Sequence, residues 1–292
     1  MQESNNFIPQ LTEDGSFTFF SAEFGEAFHS RFGAKQEAEQ KFVVPTQLRQ
    51  KALQPSLRLL DVCYGLGYNT AAALVAIWTV NPDCCVEWMG LELDLRVPQS
   101  AIAHHLLNQW QSPIPEILTQ LATTHQVQTP QLHAQLLVGD ARITLEKVYQ
   151  SGFQADAIFL DPFSPPNCPQ LWTVEFLGLV AKCLKPDGRV ATYSCSAAVR
   201  TALMAAGLQI GSTLPVGRRS PGTVASYNDD LPPLSLQEQE HLQTRAAIPY
   251  RDFELCDRAE VILQRRQIEQ QSSSLEPSSH WKQRWSMRCA RV

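Results

Sequence analysis

Apolar runs of six to nine residues alternate with amphipathic stretches of ten to fourteen through the middle of this chain. Leu57–Cys63, Cys85–Leu93, Leu132–Val138, Ala155–Leu160 and Arg189–Ser194 read as buried strands. Tyr68–Val80, Val97–Gln109, Ala141–Gln150, Leu171–Leu184 and Ala197–Ala206 read as the helices between and after them, with Gly207 ending the last. Lys185-Pro186-Asp187-Gly188 reads as a turn, and Leu208–Val216 with Thr223–Ser226 as a closing antiparallel pair. Five βα units in succession predict a mainly parallel, doubly wound sheet with helices on both faces.

The flanks follow other rules. Residues 11–20 alternate around Asp14-Gly15 and predict a hairpin, and residues 22–51 predict a helical stretch interrupted by Gly25 and Gly33. Residues 110–131, with three prolines, predict an insertion or long connection. After Pro232-Pro233 the chain turns polar. Residues 234–270 carry weak helical periodicity, 270–279 have linker composition, and a short Trp-rich basic tail follows. The expected division is an N-terminal extension over the active site at 1–52, an α/β domain at 53–230 and a C-terminal extension at 231–292.

Composition narrows the class. The 292 residues are 44% hydrophobic and 18% charged, ordinary values for a globular protein. The first residues lack a signal peptide's basic flank and apolar stretch, and Ala71–Val80 is too short for a bilayer, so a cytoplasmic location without membrane contact is expected. The eight cysteines form no Cys-x-x-Cys pair and read as structural thiols. His104-His105 point apart on a helix, no zinc spacing occurs, and no metal is expected. Net charge is −5, distributed as −7 over residues 1–190 and +2 over 191–292. The doublets Arg218-Arg219 and Arg265-Arg266 and the tail residues Lys282, Arg284, Arg288 and Arg291 offer a surface for an anionic partner, with ordinary surface scatter as the competing reading. Trp281 and Trp285 are expected to pack on the protein body.

Four acids stand at strand ends, where open α/β sheets bind their ligands: Asp61, Glu92, Asp140 and Asp161. Asp61 leads into Gly65-Leu66-Gly67, whose glycines admit close backbone approach at a helix N-terminus. The third glycine of the dinucleotide fingerprint is missing, which argues against a pyrophosphate cofactor. Glu92 is placed to accept ribose hydroxyls and Asp140 to accept an adenine amino group, although Asp140 also suits a helix N-cap. The row has the pattern of class I S-adenosylmethionine-dependent methyltransferases. Asp161-Pro162-Phe163-Ser164-Pro165 would set a carboxylate beside a reacting amine in a loop stiffened by prolines, with Phe163 available to pack on a base. A stiff loop with no chemistry is the competing reading.

These residues resemble the MnmC-type methyltransferases that finish the wobble-uridine modification of tRNA. The resemblance runs over about residues 10–226 and rests on Thr12-Glu13-Asp14-Gly15-Ser16, Phe24-Gly25-Glu26, His29-Ser30, Gly33-Ala34 and Glu37, then on Leu60-Asp61 through Asn69. Asp161-Pro-Phe-Ser-Pro, Leu171-Trp172, Ala191–Ser194, Arg200 and Gly207 complete it. It implies a Rossmann-like fold and S-adenosylmethionine as cofactor. Asp161 would contact the amine. Asp61, Gly65, Gly67, Glu92, Asp140 and Ala141 would hold the cofactor, with Glu26 and Tyr68 beside it. It also implies methylation of 5-aminomethyl-(2-thio)uridine in tRNA. Phe163, Arg218 and Arg219 are the expected substrate contacts. Cys63 and Leu66 depart from the family turn, which has glycine and a small residue there. Many relatives carry a fused oxidase domain for which 292 residues leave no room, so another enzyme is expected to supply the aminomethyl group. Methylation of another amine and non-catalytic binding of cofactor or RNA stand as alternatives.

Overall fold

The computed structural model describes residues 7–216 and 220–289, without the side chains of 288 and 289. The chain opens with two short hairpins, β1 (Gln10–Leu11) with β2 (Phe17–Thr18) and β3 (Phe20–Ser21) with β4 (Glu26–Ala27). A one-turn helix α1 (Ala34–Glu37) runs into a π-helical turn at Ala38–Val43, followed by α2 (Leu48–Lys51). The core then alternates: β5 (Ser56–Val62), α3 (Tyr68–Val80), β6 (Cys85–Glu92), α4 (Arg96–Ala103), α5 (Ile114–Thr124), β7 (Gln126–Gln128) and β8 (Leu132–Val138). It continues with α6 (Ala141–Gln150), β9 (Ala155–Leu160), α7 (Val174–Lys182), β10 (Leu184–Thr192), α8 (Ala197–Ala205), β11 (Gln209–Ser212) and β12 (Thr223–Ser226). The C-terminal segment adds α9 (Leu236–His241), α10 (Ala259–Ser272) and α11 (Ser278–Cys289).

Eight strands form one sheet in the order β11-β12-β10-β9-β5-β6-β8-β7. The five central strands are parallel, while β7, β11 and β12 join antiparallel. Strand order reverses at β5, between β6 and β9, and the crevice above such a reversal is where ligands of open α/β sheets bind. All six residues of β9 are buried, as a strand covered on both faces requires. Two apolar clusters fill the layers on either side of the sheet. The indole of Trp88 lies where a Cβ on Gly90 would come within 2.0 Å of its ring, so this packing needs glycine. Truncating Trp88, which is 1% exposed, to alanine is expected to cost about 3–5 kcal/mol.

The expected helix over 22–51 is corrected. Gly25 and Gly33 have φ of 66° and 147°, and the chain turns there instead of coiling. A Cβ on Gly33 would sit 2.0 Å from the Asp14 carboxylate, which occupies that space to accept from Thr12 Oγ1, Ser16 N and Gln36 N at 2.9 Å each. The long connection over 110–131 is corrected too. It holds α5, whose buried Ile114, Ile117, Leu118 and Leu121 follow helical spacing, and the edge strand β7. Lys185–Gly188 is an irregularity inside β10 rather than a turn before it, since the pairing with β9 shifts between Leu184 and Arg189. The linker composition over 270–279 hides the end of α10 and the start of α11.

Candidate active site

The C-terminal ends of β5, β6 and β9 open into a cavity of about 410 Å³, roofed by the N-terminal hairpins. Its wall carries Glu23, Glu26, Glu37, Glu92, Asp94 and Asp161. Arg96 also lines it and is bound to Asp94 through contacts of 2.6 to 2.9 Å. His29 is pushed down to about 4 by burial, against the pull of Asp14, and is neutral at pH 7. Such a wall attracts cations.

Beneath it lies Asp61, fully buried at the end of β5. One carboxylate oxygen accepts from Thr70 Oγ1 at 2.7 Å, and the other has no protein partner. Burial pushes this carboxyl up to about 7, with the Thr70 hydrogen bond opposing and the Glu92 charge adding. Glu92, 7% exposed, accepts from Gly65 N and Asp94 N, both at 2.8 Å. Burial raises it to about 7 as well, against these backbone donors. Between the two acids the chain turns through Gly65 and Gly67, with φ of 58° and 92°, into α3. Cys63 is also left-handed at φ 71°, a region where a side chain is strained; the N–H groups of Cys63 and Tyr64 both donate to Leu91 O, at 3.1 and 2.9 Å, and hold it there.

The Asp161–Pro165 loop is fixed at nearly every position. Asp161 N donates to Val62 O at 3.1 Å, and its carboxylate accepts from Asn69 Nδ2 at 2.8 Å. Tyr193 Oη donates to Pro162 O at 2.9 Å and Trp172 Nε1 to Phe163 O at 2.8 Å. Both oxygens of Glu26 are engaged below the loop: one accepts from Ser164 N at 2.9 Å, the other from Ser164 Oγ and from Asn167 Nδ2 at 2.9 Å. Burial, then the Glu37 charge, raises the Asp161 carboxyl well above the usual carboxylate range, while Asn69 pulls the other way.

The structure therefore brings Glu26, Gly65, Glu92, Asp161 and Phe163 to one wall and sets Asp61 and Gly67 under it. Tyr68 stands behind, its hydroxyl accepting from Phe17 N at 3.1 Å and Gln109 Nε2 at 2.8 Å. Asp140 and Ala141 start α6 outside the cavity lining. Asp140 caps that helix through Arg142 N and is paired with the Arg142 guanidinium at 2.7 Å. Phe163 stacks on Phe24 with centroids 4.4 Å apart and meets Phe28 edge-on at 4.9 Å, while its half-buried side chain still lines the cavity. Glu37, His29, Asn69 and Tyr193 were not singled out from the sequence as site residues. Asn69, next to the place of the missing third glycine, carried the best signal.

The expected basic surface is corrected in part. Arg265 pairs with Asp257 at 2.8 Å, and Arg266 donates to Ile248 O and Ala246 O. Arg284 bridges Glu240 and Glu276 at 2.5 and 2.7 Å. Arg265 and Arg284 thus neutralise acids of the same segment, and Arg266 is engaged by backbone carbonyls. Trp281 is buried and stacks on His241, and Trp285 Nε1 donates to Glu240 at 2.9 Å. Arg218, Arg219 and Arg291 lie outside the described residues, as does the side chain of Arg288. Among the described residues no cluster suits a metal ion, and no helix is long and apolar enough to cross a membrane.

S-Adenosylmethionine carries a sulfonium, an ammonium and ribose hydroxyls. The acid wall, the unpartnered oxygen of Asp61 and the glycine turn fit such a group. Residues 101–228 match the family described as S-adenosyl-L-methionine-dependent methyltransferase. Fold, site and match define a class I methyltransferase that uses this cofactor. The crystal structure of MNMC2 from Aquifex aeolicus superposes with a TM-score of 0.81 at 33% identity, covering 93% of this chain and 87% of that one. The chain belongs to the MnmC2 methyltransferase family. An uncharacterized protein of Methanocaldococcus jannaschii is 30% identical over 88% of this chain and 70% of its own. The tRNA 5-methylaminomethyl-2-thiouridine biosynthesis bifunctional protein MnmC of Methylibium petroleiphilum is 30% identical over 70% of this chain; the match spans 32% of that longer protein.

Proposed function

We propose that this enzyme methylates the 5-aminomethyl group of wobble uridine in tRNA, thiolated at position 2 or not, giving the 5-methylaminomethyl nucleoside. The observation that carries this is a rigidly held carboxylate, Asp161, on an acid-lined wall suited to an amine. The name of the bifunctional relatives supports tRNA as the substrate. The aminomethyl group would come from another enzyme, and the compartment would be the cytosol.

Asp61, Gly65, Gly67 and Glu92 would hold the cofactor, with Asp140 and Ala141 at its adenine end. The bound cofactor supplies an electrophilic methyl group on sulfur. Asp161 would accept an N–H of the substrate amine and orient the nitrogen toward the methyl group that the cofactor would supply. An alkylammonium is a weak acid, and the raised affinity of Asp161 for a proton narrows the gap to be crossed. Glu26, Tyr193 and Trp172 act through the loop, fixing its position. Glu26 thus supports the loop rather than the cofactor. The roof of Phe24, Phe28 and Phe163 limits water at the reacting centre.

The test is transfer of labelled methyl from S-adenosylmethionine to tRNA from cells arrested at the aminomethyl stage, with nucleoside mass analysis. One added methyl on 5-aminomethyl-(2-thio)uridine is expected. Label on another nucleoside, or no transfer to tRNA while cofactor binds, would refute the substrate assignment.

A further inference from the structure

The amine side of the cavity holds a second carboxylate with no assigned role. Glu37 lines the cavity with Asp161, at the point where α1 passes into the π-helical turn Ala38–Val43. Irregular helical turns of this kind recur at functional sites, where the added residue redirects side chains. Its Oε2 accepts from Ser30 N at 3.0 Å, which anchors the carboxylate while leaving its charge unpaired by any cation in the described hydrogen bonds and ion pairs. The Glu37 charge acts on both Asp161 and Tyr193, so the groups share one electrostatic environment.

We infer that Glu37 and Asp161 form a two-carboxylate seat for a primary alkylammonium, and that Glu37 is a further catalytic residue through which the substrate's proton leaves. This inference rests on the function proposed above. The substrate arrives as R–NH3+, and one proton passes to the carboxylate pair, freeing the nitrogen lone pair. The N–C bond forms as the C–S bond breaks. The bonding pair remains on sulfur as a neutral thioether, and the product leaves as R–NH2–CH3+. The abstracted proton goes to solvent, so charge and atoms balance. Facing this pair are Asp61 from β5, Glu26 from β4, Tyr193 beyond β10 and neutral His29. Glu23, Glu92 and Asp94 line the same cavity, and its one Arg or Lys among the described residues, Arg96, is held by Asp94 at 2.6 to 2.9 Å and so is already neutralised.

Glu37→Gln separates charge from structure, because the amide oxygen still accepts from Ser30 N. With aminomethyl-bearing tRNA, Glu37→Gln is expected to lower kcat about 10- to 100-fold at pH 7. Its rate should then climb about tenfold per pH unit toward pH 9, as deprotonation passes to the solution. Cofactor Kd and thermal midpoint should stay near those of the wild type, and Glu37→Asp should recover part of the rate. A Glu37→Gln variant with the wild-type rate and pH profile overturns the inference and leaves the proposed function standing. A loss carried wholly by cofactor Kd also overturns it, making Glu37 a cofactor ligand. A wild-type enzyme silent on this tRNA overturns the substrate reading and the inference with it.

Discussion

Cofactor affinity should depend on pH in a way set by Asp61 and Glu92. Both carboxyls titrate at about 7 in the protein alone, chiefly because burial disfavours their charge. A ligand bringing a sulfonium, an ammonium and hydroxyl donors favours the ionised forms, so binding must expel the protons these groups hold. Affinity therefore falls as pH drops below 7 and levels off above it. Going from pH 7.5 to 6, below the range where the ligand's own amine titrates, a group with a midpoint of 7 weakens binding by about eightfold, and two such groups by roughly 70-fold. Isothermal titration calorimetry of S-adenosylmethionine at several pH values, in buffers of different ionisation enthalpy, reads both affinity and proton release. Asp61→Asn removes one of the two protons and should leave the shallower dependence. The same shifts act on folding. Stability from these protonated acids is complete below their unfolded values near 4 and is lost as pH rises toward 7, where bound cofactor restores it. A Kd constant between pH 6 and 7.5, with no buffer dependence of the enthalpy, would refute the reasoning.

Asp161→Ala should reduce methyl transfer to tRNA by about 10²- to 10⁴-fold while cofactor Kd, read by titration, changes little. Glu26→Ala unties Ser164 and Asn167; kcat should fall about tenfold or more, with rising mobility of the loop in hydrogen exchange, because charge-assisted hydrogen bonds of this kind contribute about 1.5–3 kcal/mol.

Strands were the most legible part of the fold. Leu132–Val138, Ala155–Leu160 and Thr223–Ser226 occur with the bounds their apolar runs give, because buried parallel strands and short alternating ones leave little freedom in register. The N-terminal layer was not legible as built. Its shape depends on a carboxylate, Asp14, filling the space of an absent side chain 19 residues away at Gly33, and no local propensity encodes that. The acids at strand ends could be found by position, but their environments could not. Position alone leaves Asp140 either an adenine acceptor or an N-cap and does not reveal the Arg142 guanidinium paired with it, nor the two phenylalanine rings packed against Phe163. Glu37 entered only through the family resemblance, since its place in the cavity comes from a helical irregularity that periodicity does not reveal.

Arg142 has one feature whose meaning lies in time. Its guanidinium reaches Asp140 beside it and also Asp252, 110 residues later and fully buried, at 3.0 Å. On a ribosome adding roughly 5–20 residues per second, the parallel sheet up to β10 can assemble well before Asp252 is made. During that interval Arg142 has only half of its acidic environment, and the start of α6 lacks the support of the segment that later packs on it. The proposed adenine end of the cofactor groove is thus finished late in synthesis. A nascent chain would possess its glycine turn and its acid wall before it could grip the cofactor along its full length.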